Sequence, residues 1–140
     1  MLCVRTLNLE GNSLGRDGMM HFSQGLSFNH SLTSLNLSSN QFGGHDKIPN
    51  AEDAIKYLTI GLAGCTTLKQ LNIDGNLIGN SGLEILYASC LSGQLNHLHD
   101  ISFTPFVETD LYKSIVDKIE SNKPVKKKKK KTKKKSAKKK

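Results

Sequence analysis

His97 and His99 come nearest, in type and spacing, to the residues of a metal site. One residue separates them and Asp100 follows, so on a strand the two imidazoles would share one face. Zinc sites in proteins use three or four protein ligands, and no position here supplies a defined third ligand. We therefore predict no metal site.

Motifs that carry catalysis or nucleotide binding are missing from the sequence. It contains no G-x-G-x-x-G, no Walker A and no G-x-S-x-G, and its serines form no recognisable Ser/His/Asp set. Cys3, Cys65 and Cys90 make no C-x-x-C, which favours reduced, packed thiols over a disulfide framework. We therefore predict a protein that is not an enzyme and needs no cofactor and no small-molecule substrate.

A lysine-rich stretch closes the sequence. Residues 123–140 hold 13 of the 20 Lys and Arg residues and none of the 12 acids, which leaves seven bases and a formal charge of −5 for the remainder. Such a composition predicts a disordered tail, because its charges repel one another and it has little apolar surface to bury. The lysines that we assign to polyanion binding or localisation are Lys126, Lys127, Lys128, Lys129, Lys130, Lys131, Lys133, Lys134, Lys135, Lys138, Lys139 and Lys140.

Several kinds of partner could bind the positive charges of these lysines. Lysines bind polyanions by counterion release, so nucleic-acid backbones and acidic protein tails are candidates, as is a nuclear import receptor. A solvated tail without a partner is the alternative. No apolar run long enough to span a membrane and no secretory leader are present. We expect an intracellular protein of the nucleus or nucleolus, or otherwise of the cytoplasm or cytoskeleton.

The remainder of the chain contains an internal repeat. The pattern apolar-x-x-L-x-(L/I)-x-x-N-x-(L/I/F)-G begins at Val4, Leu32 and Leu68. The second unit carries about eight extra residues, which we place in the loop 44–50. We place a degraded fourth copy at Leu95-Asn-His-Leu98, although no asparagine follows at the expected position.

Each part of the repeat has a physical role. The L-x-L residues share one face of a short strand, and the strands of successive units run parallel. The asparagine suits a sharp turn, since its amide can bond backbone groups that the turn leaves unpaired. Glycine after the motif tolerates the turn into a helix. Helices are expected over 18–28, 51–64 and 83–91, with Asn50 as N-cap of the second. The structural asparagine ladder is Asn12, Asn40 and Asn76.

This pattern resembles the ribonuclease-inhibitor-like class of leucine-rich repeats over about residues 4–98. The resemblance implies an α/β solenoid, or horseshoe, with parallel strands on the concave face, helices on the convex face and a protein partner on the concave face. Ran GTPase-activating proteins resemble the same class, so a GTPase regulator is a minor alternative. Side chains that alternate with the buried leucines are the candidate partner-binding residues: Thr6, Asn8, Glu10, Ser34, Asn36, Ser38, Gln70, Asn72, Asp74, His97 and His99.

The two ends of the array differ. Residues 109–121 place Leu111, Ile115 and Ile119 on one helical face, which predicts a C-terminal capping helix. No polar capping element precedes Val4, so we expect the C-terminal part of a longer array, with homodimerisation through that strand edge as the alternative. The expected organisation is repeats in 1–103, a cap in 104–122 and a disordered tail in 123–140.

Together these features predict a protein-binding scaffold or adaptor that uses its concave face, with a polybasic tail for localisation or tethering. The main alternative is a polyanion-binding protein that acts through the tail.

Overall fold

Strands and helices alternate along the whole described chain. The structure is a computed structural model and describes residues 3–43, 49–105 and 110–125. The elements are β1 Thr6–Asn8, α1 Gly15–Ser27, β2 Ser34–Asn36, α2 Asp53–Gly64, β3 Gln70–Asn72, α3 Asn80–Leu91, β4 Asp100–Ser102 and α4 Asp110–Glu120. The strands form one parallel sheet in the order β1-β2-β3-β4. The predicted α/β solenoid is therefore confirmed. Within the described residues, no helix is both long and apolar enough to cross a membrane.

The repeated leucines form the side of the core that lies against the sheet. Leu7, Leu35, Leu71 and Ile101 pair across the four strands in register. Behind the sheet lie side chains that the helical spacing predicted, and Met19, Leu58 and Leu86 are each fully buried. Aliphatic side chains supply nearly all of this core, as expected for a sequence with no Trp.

The fourth repeat begins three residues later than predicted. Ile101, not Leu98, pairs with Leu71, and Leu98 takes the place that Leu68 has in the third unit. Leu95 is also buried, and it lies in the turn between α3 and β4. The L-x-x-L spacing of Leu95 and Leu98 thus imitates the start of the motif although the strand lies further on. Position 106, where this register would put the ladder asparagine, lies outside the described residues.

The start of α2 differs from the prediction as well. Asn50 is not its N-cap: the residue before the helix is Glu52, which makes no side-chain capping bond. Asn50 has a φ of 61°, in the left-handed region, whereas N-cap residues have extended backbones. Its carbonyl instead accepts from the Asp53 N–H at 3.1 Å. Of the predicted loop 44–50, residues 44–48 lie outside the described part of the chain.

Two of the repeated glycines are needed for different reasons. Gly15 has a φ of 59°, so it supplies the left-handed turn that the sequence predicts. Gly43 has no such φ, but a Cβ there would overlap the carbonyl oxygen of Asn76. The second glycine therefore allows one turn to lie directly against the next.

The C-terminal helix α4 covers the last strand and helix. It contacts α3 and β4, and its Ile115 and Ile119 are fully buried. The ring of Tyr112 meets Phe103 edge-on, with centroids 4.9 Å apart. Asn122 closes the end of this helix by donating its amide to the carbonyl oxygens of Leu95 and Leu98.

Candidate functional site

The concave face consists of three rows of polar side chains, each with one residue per strand unit. The first row is Thr6, Ser34, Gln70 and Asp100, and the second is Asn8, Asn36, Asn72 and Ser102. The third row is Glu10, Ser38, Asp74 and Thr104, the hydroxyl of Thr104 donating to the carboxylate of Asp74 at 3.0 Å. We call these twelve residues the concave face throughout.

The asparagines of the second row also shape the turns. In each of the first three units the asparagine Oδ1 accepts the backbone N–H two residues on, from Glu10, Ser38 and Asp74 respectively. This bond is an Asx turn that ends the strand. Because it fixes the oxygen, the amide nitrogen is left to point away from the turn. Asn36 donates this amide to Glu10 at 3.2 Å, while no described protein atom accepts from the amides of Asn8 and Asn72.

Ser38 is less accessible than its predicted role requires. Its side chain is buried, and its hydroxyl donates to Asn36 Oδ1 at 2.8 Å. Strand alternation predicted the side of the sheet on which Ser38 lies but not this hydrogen bond, and its contact with a partner stays a prediction.

A shallow groove of about 260 Å³ runs across the middle of the concave face. Its walls are polar side chains from three strands, and its floor includes Leu35 and Leu71. The lining polar residues are Ser34, Asn36, Gln70, Asn72, Asp100 and Ser102. This groove offers amide donors and carboxylate and hydroxyl acceptors to a ligand that lies across the strands.

Charge is distributed unevenly over this surface. Glu10, Asp74 and Asp100 are the three acids among the twelve concave residues, and none of the twelve is basic. A flanking row at the start of the strands consists of Arg5, Thr33, Lys69 and His99, joined by backbone hydrogen bonds of 2.7 to 2.9 Å. The face is therefore acidic, with basic groups along one border.

His97 and His99 do not continue the concave rows, so their predicted placement is wrong. Asp100 and Ser102 take those register positions, because the fourth strand lies three residues further on. His97 lies in the preceding turn, where burial, followed by the charges of Lys69 and His99, lowers its pKa. Among the described residues, no group of three or more His, Cys, Asp or Glu side chains is arranged to hold a metal ion.

The described part of the chain contains three free cysteines, none of them among the twelve concave residues. Cys65 and Cys90 are buried in the core, and Cys3 is exposed near the first strand. Burial raises the pKa of the Cys90 thiol to about 11, so it is a thiol at neutral pH and packs as a small apolar group.

A second surface feature, on the helices, was missed by sequence reasoning. A groove of about 320 Å³ lies between α1 and α2 and is lined by Met20, Ser23, Gln24, Ser27, Phe28, Tyr57 and Ile60. Phe28 is 82% exposed and Ile60 is 64% exposed. The sequence feature that could have revealed it is the apolar residues outside the buried stripe of each helix. This apolar groove is the alternative to the concave face as a contact surface.

Comparisons with known proteins agree with this geometry. Residues 28–44 and 64–86 match the family model described as Leucine Rich repeat, and they contain the second and third copies of the motif. A similar solved structure is "Leiomodin-1 Actin-Binding Site 2 (ABS2)", with 13% identity, 84% of this chain and 79% of that chain covered, and a TM-score of 0.51. At this identity the likeness shows the fold alone. No curated protein gives a significant match.

The fold and the surface together define a solenoid of strand–turn–helix units that presents a polar face on its parallel sheet. Since two of its units match the family model, the chain contains leucine-rich repeats. The narrower ribonuclease-inhibitor-like class remains a prediction.

Proposed function

We propose that this chain is a non-enzymatic protein-binding scaffold or adaptor that takes its partner on the concave face, while the polybasic tail localises or tethers it. The observation that carries the proposal is the set of aligned polar rows across the four strands. The amides of Asn8 and Asn72 project from fixed turns without an acceptor among the described residues, which preorganises them as donors to a ligand. The repeat fold itself supports a protein-binding repeat module.

The size of the face indicates what kind of contact it makes. Four strands at a spacing of about 4.8 Å span roughly 14 Å, and the three rows, which are two residues apart, span about 13 Å along the strand direction. This footprint is smaller than the roughly 800 Å² per partner of a standard stable interface. A short segment of a partner therefore fits it better than a whole domain, and the expected affinity is modest.

A modest contact gains from a second one. Tethering by the tail raises the effective concentration of the concave face near a partner and does so without any new contact there. We therefore assign the tail, which carries 13 positive charges, to localisation on an anionic partner or receptor. Binding through the tail alone is the competing function, and it predicts a steep loss of binding with salt.

The test compares two pairs of arginine substitutions in the full chain. The first pair, Ser34→Arg with Gln70→Arg, fills the groove. The native side chains of Ser34 and Gln70 make no hydrogen bond within the described structure. Thr66→Arg with Gln94→Arg adds the same charge at exposed turn positions after α2 and α3. Proteins captured from lysate at about 50 mM and about 200 mM salt are compared, since phosphate-driven binding falls steeply over this range.

The proposal predicts that the variant with the groove pair no longer captures a defined protein. The variant with the turn pair should still capture that protein at both salt concentrations. Capture of this protein should survive deletion of residues 126–140, and this boundary spares Lys123, which is ion-paired in the fold. Actin, the protein that the similar leiomodin site is named for binding, is added as a purified candidate. Equal capture by both arginine pairs, with loss on tail deletion, would assign the activity to the tail.

A further inference from the structure

We propose that the lysine tail of this same chain occupies the concave face when no partner is bound, so that tail and partner compete for one surface. The inference rests on the proposed function, because it assigns the regulation of that site. The occupant is the segment Lys126–Lys140, and the residues that receive it are the concave acids Glu10, Asp74 and Asp100.

The structure already shows the first lysine of the tail on this face. Lys123 Nζ lies 2.7 Å from Asp100 Oδ1, and Asp100 ends the first concave row on β4. The Asp100 carboxylate, followed by that of Glu120, raises the pKa of Lys123. Just before it, Asn122 is tied to the carbonyl oxygens of Leu95 and Leu98. The chain is thus anchored beside the last strand, and the tail starts at the border of the concave face.

Charge complementarity favours the same placement. Three acids and no base lie among the twelve concave residues, while the tail has no acid. Glu10 and Asp100 are exposed and Asp74 is half-buried, so all three carboxylates are open to approach. Their side-chain partners in the described structure are the Asn36 amide for Glu10, the Thr104 hydroxyl for Asp74 and Lys123 for Asp100.

Another acidic group, at the starts of α1 and α2, is already ion-paired. Glu52 and Asp53, at the start of α2, form ion pairs with Lys56 and Arg16 at 3.0 to 3.1 Å. These contacts lower the pKa of Asp53 through Lys56 first and then through Arg16. Asp17 also pairs with Arg16, at 3.3 Å, so two bases offset three acids there, and a polycation gains less from that surface than from the concave face.

The tail is long enough to make the contact. Fifteen residues follow Val125, and an extended chain spans about 3.3 Å per residue, or roughly 50 Å. The sheet is about 14 Å wide, so the lysines can reach from Asp100 across to Glu10. Each exposed lysine–carboxylate ion pair contributes little binding free energy alone. The contact therefore depends on many lysines that exchange among three carboxylates at low salt.

The test places a spin label on the tail of the full chain and reads backbone amides by NMR. Ser136→Cys, in a Cys3→Ser background, carries the nitroxide, because Cys65 and Cys90 are buried. At low salt we expect a severalfold loss of peak intensity at Ser34, Asn36, Gln70 and Asn72. At about 500 mM salt, where the Debye length is about 4 Å, this loss should disappear.

Two triple variants decide whether the acids are responsible. Glu10→Gln, Asp74→Asn and Asp100→Asn together should abolish the intensity loss on the concave face. The matched control, Asp17→Asn with Glu84→Gln and Asp117→Asn, removes three exposed helix acids and should leave the loss unchanged. The amide spectra of both variants report whether the fold is retained.

Several outcomes would overturn the proposal: no intensity loss, an equal loss over the helices, or a loss that the concave triple variant retains. A mixture of spin-labelled protein with unlabelled ¹⁵N protein must show no loss on the concave face, because the proposed contact lies within one molecule. The experiment contains no partner, so its failure would leave the concave binding site to be decided by the arginine pairs.

Discussion

The asparagine ladder joins each turn to the one before it. Asn40 Oδ1 accepts the backbone N–H groups of Asn12 and Leu14, and its Nδ2 donates to the carbonyl oxygens of Leu9, Leu37 and Ser38. Asn76 repeats this arrangement, accepting from the Asn40 N–H at 2.7 Å and donating to Leu37. Both side chains are buried, so water cannot replace these partners.

Asn40→Ala should therefore lower the free energy of unfolding by about 3–5 kcal/mol, since it leaves several buried backbone groups unpaired. Asn12→Ala is the control: Asn12 is exposed and donates to Leu9 and Glu10 of its own turn, so we expect a loss of about 1 kcal/mol or less. Urea denaturation measures both. Equal losses would show that the bonds between units do not contribute as described.

The sequence predicted the roles of some single residues but not the hydrogen bonds or positions of others. The repeat indicated that Asn40 and Asn76 would serve a turn, and it indicated the side of the sheet on which Asn36 and Asn72 lie. It did not show that Oδ1 of Asn36 and Asn72 is already bound to the backbone, since alternation predicts direction and not hydrogen bonding. Residue types at a spacing could not show that His97 lies in a turn.

At the scale of elements, two glycines set the contact between α1 and α2. A Cβ on Gly61 would lie 3.0 Å from Ser23 Cα, and a Cβ on Gly64 would lie 2.7 Å from Ser27 Cα and overlap the Ser27 carbonyl. Neighbouring helices of the solenoid thus approach backbone to backbone at these points. Gly25 lies in α1, and a Cβ added there would have no such neighbour within 4 Å.

Gly64→Ala should destabilise the protein by about 1–3 kcal/mol, because the methyl group must push the helices apart. Gly25→Ala should instead stabilise it by about 0.5–1 kcal/mol, because alanine favours an exposed helical position over glycine. Thermal unfolding of the two variants measures these opposite signs. A stabilising Gly64→Ala would contradict the close helix contact.

The elements were predicted well where the motif is complete. Three strands and the helices behind them follow from the L-x-L and i, i+3, i+4 patterns, although α1 and α3 each begin three residues earlier than predicted. The fourth unit was misplaced because Leu95 and Leu98 repeat part of the motif before the strand begins. A pattern of leucines cannot decide between two registers when both leucines are buried.

At the scale of the molecule, the charge is divided between a folded part and a tail. The formal net charge of +8 describes neither, since residues 123–140 contribute +13 and the remainder −5. The acids Glu10, Asp74 and Asp100 carry part of that negative charge to the concave face. This division was predictable from composition, but the position of Lys123 against Asp100 required the packing of α4 on the last unit.

The part of the molecule that the structure describes offers two candidate contact surfaces, the polar concave face and the apolar groove between α1 and α2. Site-specific photo-crosslinking in the full chain distinguishes them most directly, with the photoreactive amino acid in place of Gln70, Ile60 or Lys113. Gln70 lines the concave groove, Ile60 lines the apolar groove, and Lys113 is an exposed control on α4. We predict that the Gln70 position yields a discrete crosslinked protein in cells, while the Ile60 and Lys113 positions do not. A discrete product from Ile60 and none from Gln70 would contradict the assignment of the concave face as the binding site.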